Sequence, residues 1–140
     1  MIAYFDSSAI VKLLLDEKES LVLEEAVAQM WDKGYRIVSS YLAETEVRRA
    51  VQKLGISQAD VTVLLDKFEL VPIEYVHYKK AGMIAISGGE FLRSQDAIHV
   101  IVAESLATDV FVTYDKRQAS VASARSLLVI SPEKRINPFG

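Results

Sequence analysis

Ile2-Ala3-Tyr4-Phe5-Asp6-Ser7-Ser8-Ala9-Ile10 opens the chain with an apolar, partly aromatic run that stops at an acid. Four uninterrupted apolar residues closed by a polar break read as a strand buried on both faces, which is the strand of a parallel sheet. Ser7 and Ser8 are available to cap a short helix, which Ile10, Val11, Leu13 and Leu14 predict. The same handover recurs down the chain. Leu21, Leu23, Ala26, Val27 and Met30 give a helix over 20–33 closed by Gly34, and Ile37-Val38 a second strand. Val47, Ala50, Val51 and Leu54 stand at i, i+3, i+4 and i+7, a helix that stops at Gly55. Ser57 with Asp60 predicts the start of a helix running to about Phe68. Leu70 to Ile73 reads as a strand in which Pro72 marks an edge or an end. A helix is expected from His77 to Ile86, ended by Gly88-Gly89, and another, largely buried, from Ser94 to Ala107. Val110 to Thr113 is a buried strand ending before Asp115, followed by a helix over 116–125 and a last strand over 127–130. Pro132 and Pro138 mark an irregular tail.

Strands alternating with helices imply an α/β fold of three layers, a central, mostly parallel sheet covered on both faces. With 140 residues and no repeat, low-complexity tract or linker, residues 1–140 are expected to form a single domain. The absence of cysteine excludes disulfides and thiolate metal sites. No run approaches the roughly 20 apolar residues of a membrane span, and no basic leader precedes the first strand, so a cytoplasmic protein is expected. The net charge of −3 runs against the basic footprint usual in a nucleic-acid binder. Either the partner is no polyanion, or acids gather at a metal site that reverses their local sign.

The placement of the acids favours the second alternative. In parallel sheets ligands bind beyond the carboxyl ends of the strands, where Asp6 and Asp115 fall. Asp96 opens the most apolar helix of the chain. Carboxylates crowded together raise one another's pKa, and a divalent cation relieves that repulsion. Mg²⁺ and Mn²⁺ take oxygen ligands, and such ions can drive phosphodiester hydrolysis. Each acid also has a plainer reading: Asp6 as a turn residue, Asp96 as a first-turn acid, Asp115 as a helix cap.

Four segments in order carry a resemblance: Tyr4-Phe5-Asp6-Ser7-Ser8-Ala9, Glu46-Val47-Arg48-Arg49-Ala50, Asp96-Ala97-Ile98-His99 and Val112-Thr113-Tyr114-Asp115. No one of them is specific, but together, over nearly the whole chain, they resemble the PIN-domain family, and within it the VapC-type toxins of prokaryotic toxin-antitoxin pairs. The resemblance implies a PIN fold, a homodimer, Mg²⁺- or Mn²⁺-dependent cleavage of RNA, and inhibition by a small cognate antitoxin protein inserted in the active-site groove. It assigns Asp6, Glu46, Asp96 and Asp115 as catalytic, metal-binding acids. Ser7 or Ser8 matches the hydroxyl residue that follows the first Asp, and Thr113 a hydroxyl near the last acid. Ser7, Arg93 and Thr113 are the candidate substrate contacts. Glu44 competes with Glu46, since residues two apart on a helix point about 200° from each other and cannot share a site. The family spacing, six residues after Ser40, favours Glu46.

Arg48, Arg49, Lys53, Lys12, Lys116 and Arg117 could hold phosphates or simply form a solvated face; Arg93, three residues before Asp96, is the best placed. His99, within an apolar helix, reads as a hydrogen-bonded, partly buried histidine rather than a general base. His77 carries no motif, and Gly88-Gly89 lacks the further glycines of a dinucleotide loop. The surplus of apolar residues at Leu13, Leu14, Leu15 and from Leu21 to Met30 suits either a core or a partner surface. Two other functions compete: a non-catalytic PIN-like protein acting through an antitoxin–DNA complex, and a phosphotransfer domain with Asp6 as acceptor. Asp-Ser-Ser lacks the second Asp of the dehalogenase-type pattern, which weighs against the last.

Overall fold

Alternation within the first strand sets the layers. In this computed structural model, which describes residues 1–85 and 91–132, β1 (Ile2–Phe5) sends Ala3 and Phe5 to one face of the sheet and Tyr4 to the other. All three are fully buried, as a central parallel strand requires. Four more strands join it in parallel: β2 (Arg36–Ser40), β3 (Glu69–Val71), β4 (Val110–Val112) and β5 (Val129–Ile130), in the order β3-β2-β1-β4-β5. Pro72 follows an edge strand, as expected of a residue with no N–H to give a ladder.

On the Phe5 face lie α1 (Ser7–Lys12), α2 (Lys18–Asp32), α3 (Leu42–Gln52) and α4 (Gln58–Leu65). Their buried stripes, among them Ile10, Leu23, Met30, Val47, Val51 and Val61, close one core against Phe5, Ile37 and Val112. On the Tyr4 face, α6 (Ser94–Ser105) and α7 (Lys116–Ala124) pack Val100, Val102, Ala103 and Ala122 against Tyr4, Val38 and Phe111. Tyr4 and Phe111 stack across adjacent strands, centroids 5.6 Å apart and planes 5° from parallel. The α/β/α layering read from the sequence is therefore present, and α5 (Tyr75–Gly82) packs mainly on α6.

Two expectations change. The helix expected from His77 to Ile86 begins at Tyr75 and ends at Gly82, where Glu74 and His77 form a reciprocal cap that sets the earlier start. Gly88-Gly89 and Pro138 lie outside the described residues. The cap of α1 is Asp6 itself, not Ser7 or Ser8: its carboxylate accepts the Ala9 N–H at 2.9 Å. Gly34 and Gly55 both close helices at positive φ (+79° and +69°), the conformation that favours glycine at such ends. No helix among the described residues is long and apolar enough to cross a membrane.

Candidate active site

The strand order reverses at β1, which pairs with β2 on one side and β4 on the other. Such a switch point opens a crevice at the carboxyl ends of the strands. Asp6 is the first residue beyond β1, and Asp115 lies three beyond β4. α3 brings Glu46 to the same place and the first turn of α6 brings Asp96. All four line one open groove of about 370 Å³, together with Lys12, Arg93 and His99.

Asp6 is the deepest of them, 1% exposed. Its Oδ1 accepts from the Ser8 hydroxyl at 2.7 Å and from the Ala9 N–H, while the Thr113 hydroxyl donates to Oδ2. Burial raises its pKa; those hydrogen bonds and the nearby His99 counter only part of that. Thr113 is itself fully buried, and its oxygen accepts the Asp115 N–H at 3.0 Å. That burial corrects the expectation that Thr113 contacts substrate: its hydroxyl ties Asp6 to the turn that carries Asp115. Ser8 adds a second tie, accepting the Tyr114 N–H at 2.9 Å.

Glu46 is held from the opposite side. The Ser7 hydroxyl donates to its Oε1 at 2.7 Å, and His99 Nε2 lies 2.6 Å from the same oxygen. Burial alone would raise the Glu46 pKa, but His99, Ser7 and the charge of Arg93 outweigh it and hold the group below the ordinary glutamate value. The two serines after Asp6 thus divide the work, Ser8 ordering Asp6 and Ser7 ordering Glu46. Glu44 takes no part in the groove; it pairs with Arg48 at 3.1 Å across one helical turn. Arg48 is spent there and on Gln58 and Thr62 of α4.

Asp96 is nearly buried and pairs with the largely exposed Arg93, Nε to Oδ2, at 3.2 Å. Burial raises its pKa, Arg93 opposes this, and the charges of Asp115 and Glu46 raise it again. Asp115 caps α7 through the Gln118 N–H at 3.0 Å, so its plainer reading as a cap holds alongside its place in the groove. Lys12 reaches the groove rim, paired with Glu17 at 2.7 Å and lying 5.0 Å over the Tyr114 ring. Arg49, Lys53, Lys116 and Arg117 are exposed and do not line it.

The roles of three residues that support the groove were not read from the sequence. Gln118, 1% exposed, donates from its side chain to the Asp96 carbonyl at 3.1 Å and so braces α6 against α7. Its spacing of three from Asp115 is the one signal that could have pointed to it. Tyr4 donates to or accepts from His99 Nδ1 at 2.6 Å. Ser8, singled out only as an alternative to Ser7, proves to be a separate support.

Two buried or nearly buried acids with raised pKa values beside further carboxylates form an oxygen-only donor set, which suits a hard divalent cation. Among the described residues no three Asp, Glu or His side chains converge into a ready-made cage. The set therefore fits an ion that keeps several waters and takes few protein ligands, as Mg²⁺ does.

The chain matches the PIN domain family over residues 3–124. It is 31% identical over 135 residues to a Mycobacterium tuberculosis protein named Ribonuclease VapC47, covering 92% of this chain and 96% of that one. It is 34% identical over 134 residues to Ribonuclease VapC46 of the same species, with the same coverage. Among solved structures, VapBC2 from Rickettsia felis bound to a DNA fragment from its promoter superposes with a TM-score of 0.72 at 14% identity, covering 94% of this chain and 98% of that one. Mycobacterium tuberculosis VapC20, a sarcin-ricin loop cleaving toxin, gives 0.71 at 12% identity, with 93% and 99% coverage. At those identities the superpositions speak to the fold.

Proposed function

This chain belongs to the PIN-domain family, and we propose that it is a metal-dependent endoribonuclease, the toxin of a type II toxin-antitoxin pair, acting through the groove that holds Asp6, Glu46, Asp96 and Asp115. The observation that carries this reading is the convergence of those four acids on one groove at the sheet's switch point, in a chain whose relatives are named ribonucleases over nearly their full length.

Asp6, Glu46, Asp96 and Asp115 would hold Mg²⁺ or Mn²⁺, directly or through water. A cation bound there supplies positive charge that lowers the pKa of water and offsets charge on the phosphodiester. The chain's own part is preorganisation. Ser8, Ala9 and Thr113 fix Asp6, while Ser7 and His99 fix Glu46, so neither carboxylate must reorganise when substrate arrives. Arg93 at the rim is placed to meet phosphate oxygens once Asp96 is drawn to the cation, and Lys12, paired with Glu17 outside the acid set, reaches the same rim. Ser7 lines the groove with its hydroxyl already committed to Glu46, and it contacts substrate only as part of that pair.

Purified protein freed of any antitoxin is expected to cleave RNA with Mg²⁺ or Mn²⁺ and to stop with EDTA. Asp6→Asn is expected to lose at least about 100-fold in rate, the scale set by removal of a preorganised electrostatic group. Glu44→Gln should match the wild type where Glu46→Gln does not. Cleavage undiminished in Asp6→Asn would sink the mechanism. Cleavage lost in Glu44→Gln and kept in Glu46→Gln would reverse the choice of glutamate.

The partners proposed are RNA, a small antitoxin protein seated in the groove and a second copy of the chain, in the cytoplasm as one domain. Exposed Tyr75, Tyr78, Met83 and Phe91 supply apolar surface of the kind a homodimer covers. Sedimentation at micromolar concentration tests this, and a monomer would count against it.

A further inference from the structure

A polar chain runs from the core of the sheet to the groove, through Tyr4 and His99 to Glu46. Tyr4 is fully buried within β1, and its hydroxyl lies 2.6 Å from His99 Nδ1. His99, 1% exposed, stands three residues after Asp96 on the same face of α6, with Nε2 2.6 Å from Glu46 Oε1. Burying a tyrosine hydroxyl and an imidazole in an apolar core costs free energy unless each is bonded, and here both ring nitrogens are engaged.

The proton positions are set by the partners. As a carboxylate, Glu46 has no hydrogen to give, so Nε2 must carry one and donate it. When the ring carries that one hydrogen alone, Nδ1 is bare and can only accept, so the Tyr4 hydroxyl donates. Every hydrogen in the chain therefore points toward Glu46. Ser7 donates to the same Oε1, and among the described residues no hydrogen bond reaches Oε2. One oxygen is pinned from two directions, and the other is left for the groove.

We propose that Tyr4 and His99 are positioning residues for Glu46: Tyr4 fixes the tautomer and ring orientation of His99, and His99 fixes the Glu46 carboxylate so that Oε2 faces whatever the acid cluster binds. This rests on the reading of the groove as an RNA-cleaving metal site. It assigns His99 no proton transfer and no contact with RNA.

Four single variants, one double variant and three readouts test it. His99→Leu removes the donor, whereas a glutamine can present its amide N–H where Nε2–H stood. His99→Leu is expected to lose about 10–100-fold both in Mn²⁺ affinity, measured by calorimetry, and in cleavage rate, the scale typical of groups that orient a metal ligand. His99→Gln should recover most of both, and Tyr4→Phe should fall between. Because His99 acts through Glu46, adding His99→Leu to Glu46→Gln should cost little beyond Glu46→Gln alone. In the metal-free wild type, imidazole nitrogen NMR should report His99 as the Nε2–H tautomer, giving way to a mixture in Tyr4→Phe. Wild-type Mn²⁺ affinity in a folded His99→Leu would overturn the proposal. So would equal losses in His99→Leu and His99→Gln, or full additivity with Glu46→Gln. An Nδ1–H tautomer in the wild type would overturn both arms, because Nε2 would then have no hydrogen to give Glu46. An active Glu46→Gln would instead fail the reading of the groove, which separates the two failures.

Discussion

Asp96 carries an electrostatic load that can be measured without any substrate. Burial raises its pKa, Arg93 works against that, and Asp115 and Glu46 add to the rise. A carboxyl raised above its unfolded value of about 3.9 holds its proton more tightly in the folded state. As pH climbs past that value the unfolded chain releases its proton first, so the folded state loses stability until pH passes the raised folded value. Glu46 runs the opposite way: with its pKa lowered, it contributes stability above the unfolded glutamate value of about 4.3 and loses it on acidification. In EDTA, Asp96→Asn should therefore gain on the wild type as pH rises from about 4 toward neutrality, ending with the higher Tm. Mg²⁺ should narrow or reverse that gap, because the wild type binds it better. A pH-independent difference in thermal melts across that range would mean that Asp96 bears no such load. Asp6, Asp96 and Asp115 were legible because an ionisable group after an apolar strand or opening an apolar helix stands out, whereas Glu46 came only with the family resemblance. Their supports were not legible, since Tyr4 and His99 lie 95 residues apart in sequence and Ser8 and Tyr114 106 apart. Nothing local announces such a pair.

Helix ends show the same division between local and distant causes. Ser57 caps α4 as read from the sequence, its hydroxyl accepting the Asp60 N–H at 3.1 Å, because the cap needs only residues three apart. Ser57→Ala should cost about 1 kcal/mol in urea denaturation, the usual worth of such a cap. Ser57 lines no part of the groove, so cleavage per folded molecule should stay at the wild-type level. A rate loss without a larger stability loss would show α4 coupled to the site. At α1 the serines looked like equivalent caps, yet Asp6 takes that position. The reason is tertiary: Ser7 is drawn to Glu46 on α3, and Ser8 to both Asp6 and the β4–α7 turn. Capping α1 also anchors Asp6 at the groove, so one carboxylate serves helix and site together. The start of α5 was misplaced because Glu74 and His77 cap each other reciprocally, which lets the helix begin at Tyr75, ahead of the expected span.

At the scale of the molecule, alternation predicted a covered parallel sheet but not which strands adjoin. The order β3-β2-β1-β4-β5 depends on pairings such as Tyr4 with Phe111, a contact between distant segments. That order places Asp6 and Asp115 on the same crevice, so the site as a whole was legible only through the ordered motifs and not through periodicity. It also concentrates acids in a chain whose net charge is already −3, and such a groove should repel RNA until a cation reverses its sign. Association can be separated from cleavage by stopped-flow fluorescence of a labelled RNA, reading the bimolecular phase that precedes chain scission. With Mg²⁺ the affinity should be at least about tenfold tighter than in EDTA, a difference of about 1.4 kcal/mol. Lys12→Ala should weaken the Mg²⁺-loaded complex uniformly across RNA sequences and lower the slope of log K against log salt by about one, as expected for one lost phosphate contact. If RNA binds as tightly in EDTA as in Mg²⁺, the acids do not face the phosphate, and recognition must lie on another surface. If only the Lys12 variant matches the wild type, the cation reverses the groove's charge without help from that rim residue, because Lys12 stays with Glu17 when RNA is bound.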